Sequence, residues 1–159
     1  MKKNIIEFED IIGRYFNLKI NNQNYRIYVE EAGSGIPLIC LHTAGSDGRQ
    51  FRHILNDKKI TDKYRVIVFD LPWHGKSNPP EDYENLDYKL TTDFYKQTIM
   101  SFCNKYELIN PVIIGCSMGG RVVLHLALEQ NEYFRAVIAL EGSDKLEPYY
   151  DLDWLYRPD

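Results

Sequence analysis

Cysteine is scarce in this chain, and the three present, Cys40, Cys103 and Cys116, show neither Cys-x-x-Cys spacing nor paired histidines nearby. An odd, dispersed set argues against a disulfide framework and against a zinc site. The expected setting is therefore a reducing cytoplasm, with no metal and no cofactor. No apolar run approaches the length of a transmembrane span, and Glu7, Glu9 and Asp10 interrupt the N-terminal stretch before it reaches signal-peptide length. Basic residues are scattered and outnumbered, 19 Lys and Arg against 23 Asp and Glu, for a formal net charge of −4. That balance leaves no electrostatic footprint for nucleic acid or a membrane surface. Histidine occurs only four times, at positions 42, 53, 74 and 125, which limits any chemistry that needs an imidazole base.

What remains is an ordinary globular composition, 44% hydrophobic and 26% charged over 159 residues, enough for one domain with a substantial core. Residues 14–20 and 25–30 read as two strands joined by a turn at Asn21-Asn22-Gln23-Asn24. Further strands are expected at 36–41, 66–69, 112–114 and 136–140; the last three are short apolar runs that look covered on both faces. Helical periodicity appears at 49–56, 90–106 and 120–129, the middle helix carrying Phe94, Ile99, Phe102 and Cys103 near one face. Strand and helix in alternation predict an α/β fold, a mostly parallel, doubly wound sheet with an N-terminal antiparallel hairpin.

The run Val112-Ile113-Ile114-Gly115-Cys116-Ser117-Met118-Gly119-Gly120 is a strand breaking into Gly-x-Ser-x-Gly and then feeding the apolar-periodic Val122, Val123 and Leu126. The bare pattern would arise by chance in roughly one chain of this length in twenty, so the strand-to-helix context carries the argument. A serine forced onto such a bend needs small neighbours, here Gly115 and Gly119, and is presented in the open at a helix N-terminus, beside the N–H of Met118. In open parallel sheets chemistry sits beyond the carboxyl ends of the strands. Four segments fall there: Leu41-His42-Thr43-Ala44-Gly45, Asp70 to Ser77, the Ser117 bend, and Glu141-Gly142-Ser143-Asp144.

Together these segments resemble the N-terminal half of the α/β-hydrolase superfamily, over nearly the whole chain. The resemblance implies Ser117 as nucleophile of a serine hydrolase and the N–H groups of Met118 and Ala44 as the oxyanion hole. Thr43 stands where the family commonly has glycine, as does Trp73; with His74 they are expected to line the substrate site. The same resemblance makes Glu141 a candidate acid, against the alternative that it lines the pocket or caps the next segment. Asp70 is expected to brace its loop through local hydrogen bonds. Family order requires the histidine after the nucleophile, and His125 alone follows Ser117, on the helix leading away. The acid and histidine are thus expected beyond this sequence, with residues 1–145 forming the first part of a hydrolase core and 146–159 the start of a cap or linker. The expected partner is a small-molecule acyl substrate; a homo-oligomer or a missing C-terminal segment could complete the site. A non-catalytic binding or interaction module with the same fold is the alternative.

Overall fold

The computed structural model describes residues 8–86 and 90–143. Six strands form one mixed sheet in the order β1-β2-β4-β3-β5-β6: β1 (Ile12–Ile20), β2 (Gln23–Ala32), β3 (Ile36–Leu41), β4 (Tyr64–Phe69), β5 (Val112–Cys116) and β6 (Ala136–Leu140). The first two pair antiparallel and β2 runs antiparallel to β4. From β4 through β3 and β5 to β6 every pairing is parallel, so four strand ends point the same way and gather the loops that follow them at one edge.

The hairpin turn is tighter than expected. Only Asn21 and Asn22 lie outside the strands, both at positive φ (48° and 65°), and Ile20 pairs with Gln23. Two left-handed residues in a two-residue loop give the turn whose twist matches the flanking strands, and asparagine tolerates that conformation better than most residues. The four-residue turn read from composition counted Gln23 and Asn24 by their polarity, whereas the ladder claims both.

Alternation along the central strands sorts the core into two layers. Ile39, Leu41, Ile67, Phe69 and Ile113 face α3 (Thr92–Lys105) and α4 (Met118–Glu129), where Phe69 stacks on Phe102 with ring centroids 4.7 Å apart. Helix α3 starts at Thr92 because the Thr91 side chain accepts the Phe94 N–H at 3.1 Å, satisfying one of the orphan donors of the first turn. On the other side Cys40, Val66 and Val68 pack with Phe51 and Leu55, from a 3₁₀ turn (Gly48–Phe51) running into α1 (Arg52–Asn56). A further short helix, α2 (Lys58–Thr61), capped by Asp57, went unread in the sequence. Strand β6 departs from expectation: it alternates instead of being covered on both faces, with Ile138 and Leu140 more than 40% exposed. Among the described residues only α4 packs on it, so one face has no cover there.

No helix among the described residues is long and apolar enough to cross a membrane. The segment 146–159, expected to open a cap or linker, lies outside the described residues, as does Asp144.

Candidate active site

Strand β5 ends at Cys116, Ser117 sits at φ 52°, ψ −110°, and α4 begins at Met118. A non-glycine residue at this φ is strained by roughly 1–3 kcal/mol, and such conformations cluster at functional sites. The surroundings hold it there. The Ser117 N–H donates to the Leu140 carbonyl at 2.9 Å, and the Arg121 N–H donates back to the Ser117 carbonyl at 2.8 Å. The bend is tight enough to demand glycine on both sides: a methyl group on Gly119 would stand 2.5 Å from the Leu41 carbonyl oxygen, and one on Gly115 would collide with the Gly119 backbone. Ser117 itself is exposed, and Met118 is half-buried against the core.

The loop after β3 is fixed from below by His42, which is fully buried. Its Nε2 accepts the Leu71 N–H at 3.0 Å, so its Nδ1 carries the proton and donates to the Thr43 carbonyl at 2.8 Å. Burial holds this imidazole below the ordinary histidine value, the neighbouring His74 adding to the depression. Both nitrogens are committed, so His42 is a brace. The Thr43 N–H is committed as well, donating to Gln50 Oε1 at 2.9 Å. Ala44, the next residue, is exposed.

The loop after β4 hangs on Asp70. Its Oδ1 accepts the Gly48 N–H at 2.8 Å and its Oδ2 the Lys76 N–H at 2.7 Å, while Ser77 Oγ donates to its carbonyl at 2.6 Å. This is the bracing expected of it. Trp73 lies at φ 71° with its ring edge-on to Tyr83 at 5.9 Å. His74 Nδ1 contacts the Pro72 carbonyl at 2.9 Å, and its ring sits 4.9 Å from that of His42. Between the two loops lies a cavity of about 600 Å³ bordered by Gly45, Gln50, Trp73 and His74, with the Asp47–Arg49 pair at its rim. The Arg49 guanidinium holds the Asp47 carboxyl down at about 2. Thr43, Ser117 and Met118 do not border this cavity.

Glu141 follows β6 at φ 51° and is exposed; no hydrogen bond or ion pair joins it to a histidine among the described residues. His125 lies two turns along α4 with its Nε2 buried and unpartnered among the described residues. No cluster of potential metal ligands occurs among the described residues. Burial raises the Cys40 and Cys103 thiols to about 12, so both are unreactive packing groups. Sequence reasoning missed Gln50 and the Asp47–Arg49 pair; Asp47 two residues before Arg49 is a cap signal that could have placed the 3₁₀ turn and Gln50 with it.

A mostly parallel sheet with a strained serine at the strand-to-helix bend defines an α/β-hydrolase core, and the family model described as alpha/beta hydrolase fold matches residues 36–158. The chain belongs to that family. It is 29% identical over 128 residues to a pimeloyl-[acyl-carrier protein] methyl ester esterase of Legionella pneumophila (strain Paris), covering 80% of this chain and 46% of the relative. Among solved structures it resembles the N-acyl homoserine lactonase AidH in complex with N-butanoyl homoserine (28% identity, TM-score 0.68, 81% of this chain and 45% of that one). A hydrolase from Pseudomonas aeruginosa PA01 shares the fold (19% identity, TM-score 0.72, 84% and 48%). The chain therefore spans less than half the length of each of these proteins.

Proposed function

We propose that this chain carries the nucleophile and oxyanion-binding part of a serine hydrolase that cleaves a carboxylic ester or related acyl bond in a small-molecule substrate. The observation that carries this reading is Ser117, exposed at φ 52° at the head of α4 with its own N–H tied back to Leu140. The esterase relative from Legionella supports ester chemistry, and the lactonase likeness supports acyl–oxygen cleavage more broadly.

In this reading Ser117 Oγ attacks the acyl carbonyl as its proton passes to a histidine base. The carbonyl oxygen, now negative, is held by the N–H groups of Met118 and Ala44. Collapse expels the alcohol with the proton returned by the base, and water then hydrolyses the acyl-serine ester. Thr43, Trp73 and His74 flank the approach. His42 cannot serve as the base, since its nitrogens are spent on Leu71 and Thr43. All four histidines of this sequence lie among the described residues, and we assign the base, and the acid that orients it, to sequence outside this chain, leaving Glu141 a secondary candidate for the acid. Without an operating histidine, only the oxyanion hole and binding remain, worth about 10³ to 10⁴ over water.

The test is fluorophosphonate labelling and p-nitrophenyl ester turnover, with Ser117→Ala as control. Labelling confined to Ser117 in a form that contains the later histidine supports the reading. A form that holds the complete family core yet stays unlabelled and inactive would instead favour a non-catalytic binding module.

A further inference from the structure

We propose that Gln50 is a positioning residue of the oxyanion hole, fixing the turn after β3 so that Ala44, and not Thr43, presents its N–H to the substrate oxygen. This rests on the serine-hydrolase reading above. Its basis is that both backbone polar groups of Thr43 are already engaged. The Thr43 carbonyl receives the His42 Nδ1 proton at 2.8 Å. In a trans peptide the carbonyl and the following N–H point in opposite directions, so the Ala44 N–H is turned away from the buried imidazole. The preceding peptide is held separately, its N–H donated to Gln50 Oε1 at 2.9 Å. That donor can only be met by the oxygen of the Gln50 amide, which fixes the amide's orientation. With these two peptide planes pinned, one N–H of the pair is consumed and the other faces outward; Ala44 N–H has no acceptor among the described residues.

Gln50 can act this way because its own backbone is firmly held. The Asp47 side chain accepts the Arg49 N–H at 2.9 Å, the Gln50 N–H donates to the Asp47 carbonyl at 3.1 Å, and the Gly48 N–H is fastened to the buried Asp70 at 2.8 Å. Phe51, 5% exposed, anchors the turn in the core. The same side chain borders the 600 Å³ cavity, where it meets whatever fills that space. Threonine in place of the customary glycine adds a side chain at the hole, and a dedicated acceptor for its N–H keeps that amide from competing with Ala44.

The experiment compares a form that holds the complete family core with its Gln50→Ala and Gln50→Glu variants, the latter retaining an acceptor oxygen. Amide hydrogen exchange by NMR should show the Thr43 amide protected in the parent and in Gln50→Glu, and unprotected in Gln50→Ala. Unchanged Thr43 protection in Gln50→Ala overturns the clamp whatever the enzyme does. Ester turnover should fall about 10- to 100-fold in kcat for Gln50→Ala with KM within twofold, a fraction of the loss seen when an oxyanion donor is deleted, and recover in Gln50→Glu. An equal kcat in Gln50→Ala, or a change confined to KM, overturns the positioning role while leaving the serine-hydrolase reading intact. Failure of the parent to turn over esters or label at Ser117, in a form with the complete family core, overturns that reading and the catalytic role of Gln50 together. The exchange result still decides the clamp.

Discussion

The buried Nε2 of His42 accepts the N–H of Leu71 at 3.0 Å, so the loop after β3 and the loop after β4 are joined through one imidazole. Its other nitrogen fixes the Thr43 carbonyl. A histidine at a strand end in a hydrolase invites assignment as the base, and here the geometry spends it on holding two loops together.

Replacing His42 by alanine leaves the Leu71 N–H without its acceptor in a fully buried place and opens a cavity. The expected loss is about 3 kcal/mol of stability, measured by urea unfolding.

The stability difference between the parent and a His42→Gln variant depends on pH. The folded imidazole resists protonation, because burial lowers its pKa, while in the unfolded chain it protonates near about 6.5. Below that pH the unfolded state binds the extra proton, so the contribution of His42 is full above about 6.5 and declines as pH falls. Unfolding midpoints at pH 7.5 and 5.5 should show the gap between the two proteins narrowing on acidification. A widening gap would reject this account.

Opposite outcomes are expected from two small substitutions at the bend. Ser117→Gly removes the φ strain and, after the entropy cost of glycine, should stabilise the fold by about 1 kcal/mol while abolishing any acyl-enzyme. Gly119→Ala places a methyl group 2.5 Å from the Leu41 carbonyl oxygen and should cost about 3 kcal/mol or more. Thermal unfolding of the two proteins side by side reads both effects.

Asp70→Ala deprives the Gly48 and Lys76 N–H groups of their shared acceptor. About 3 kcal/mol should be lost, and the Thr43 amide should exchange faster as the turn carrying Gln50 loosens. Denaturant unfolding and NMR exchange check the two parts.

The parallel core was legible because its strands are short β-branched runs; 36–41 and 136–140 were bounded to the residue. The serine bend was legible because its glycines are dictated by collisions that a local motif records. Ladder pairing, by contrast, is a long-range property, and polarity alone placed Gln23 and Asn24 in a turn. The cover of β6 is equally non-local: Ile138 and Leu140 are apolar whether or not anything lies on them. Gln50 was passed over because its contact is with a neighbour seven residues away across a turn; the Asp47 cap marks the turn, but no periodicity announces the contact.

The amide of Ser117 hangs from the final carbonyl of β6, the outermost plank of the sheet among the described residues. Whatever docks along that rim, or pries it loose, pulls on the bend at Ser117 through this bond as well as through the β5–β6 ladder and α4. The poise of that bend is governed from the margin of the protein.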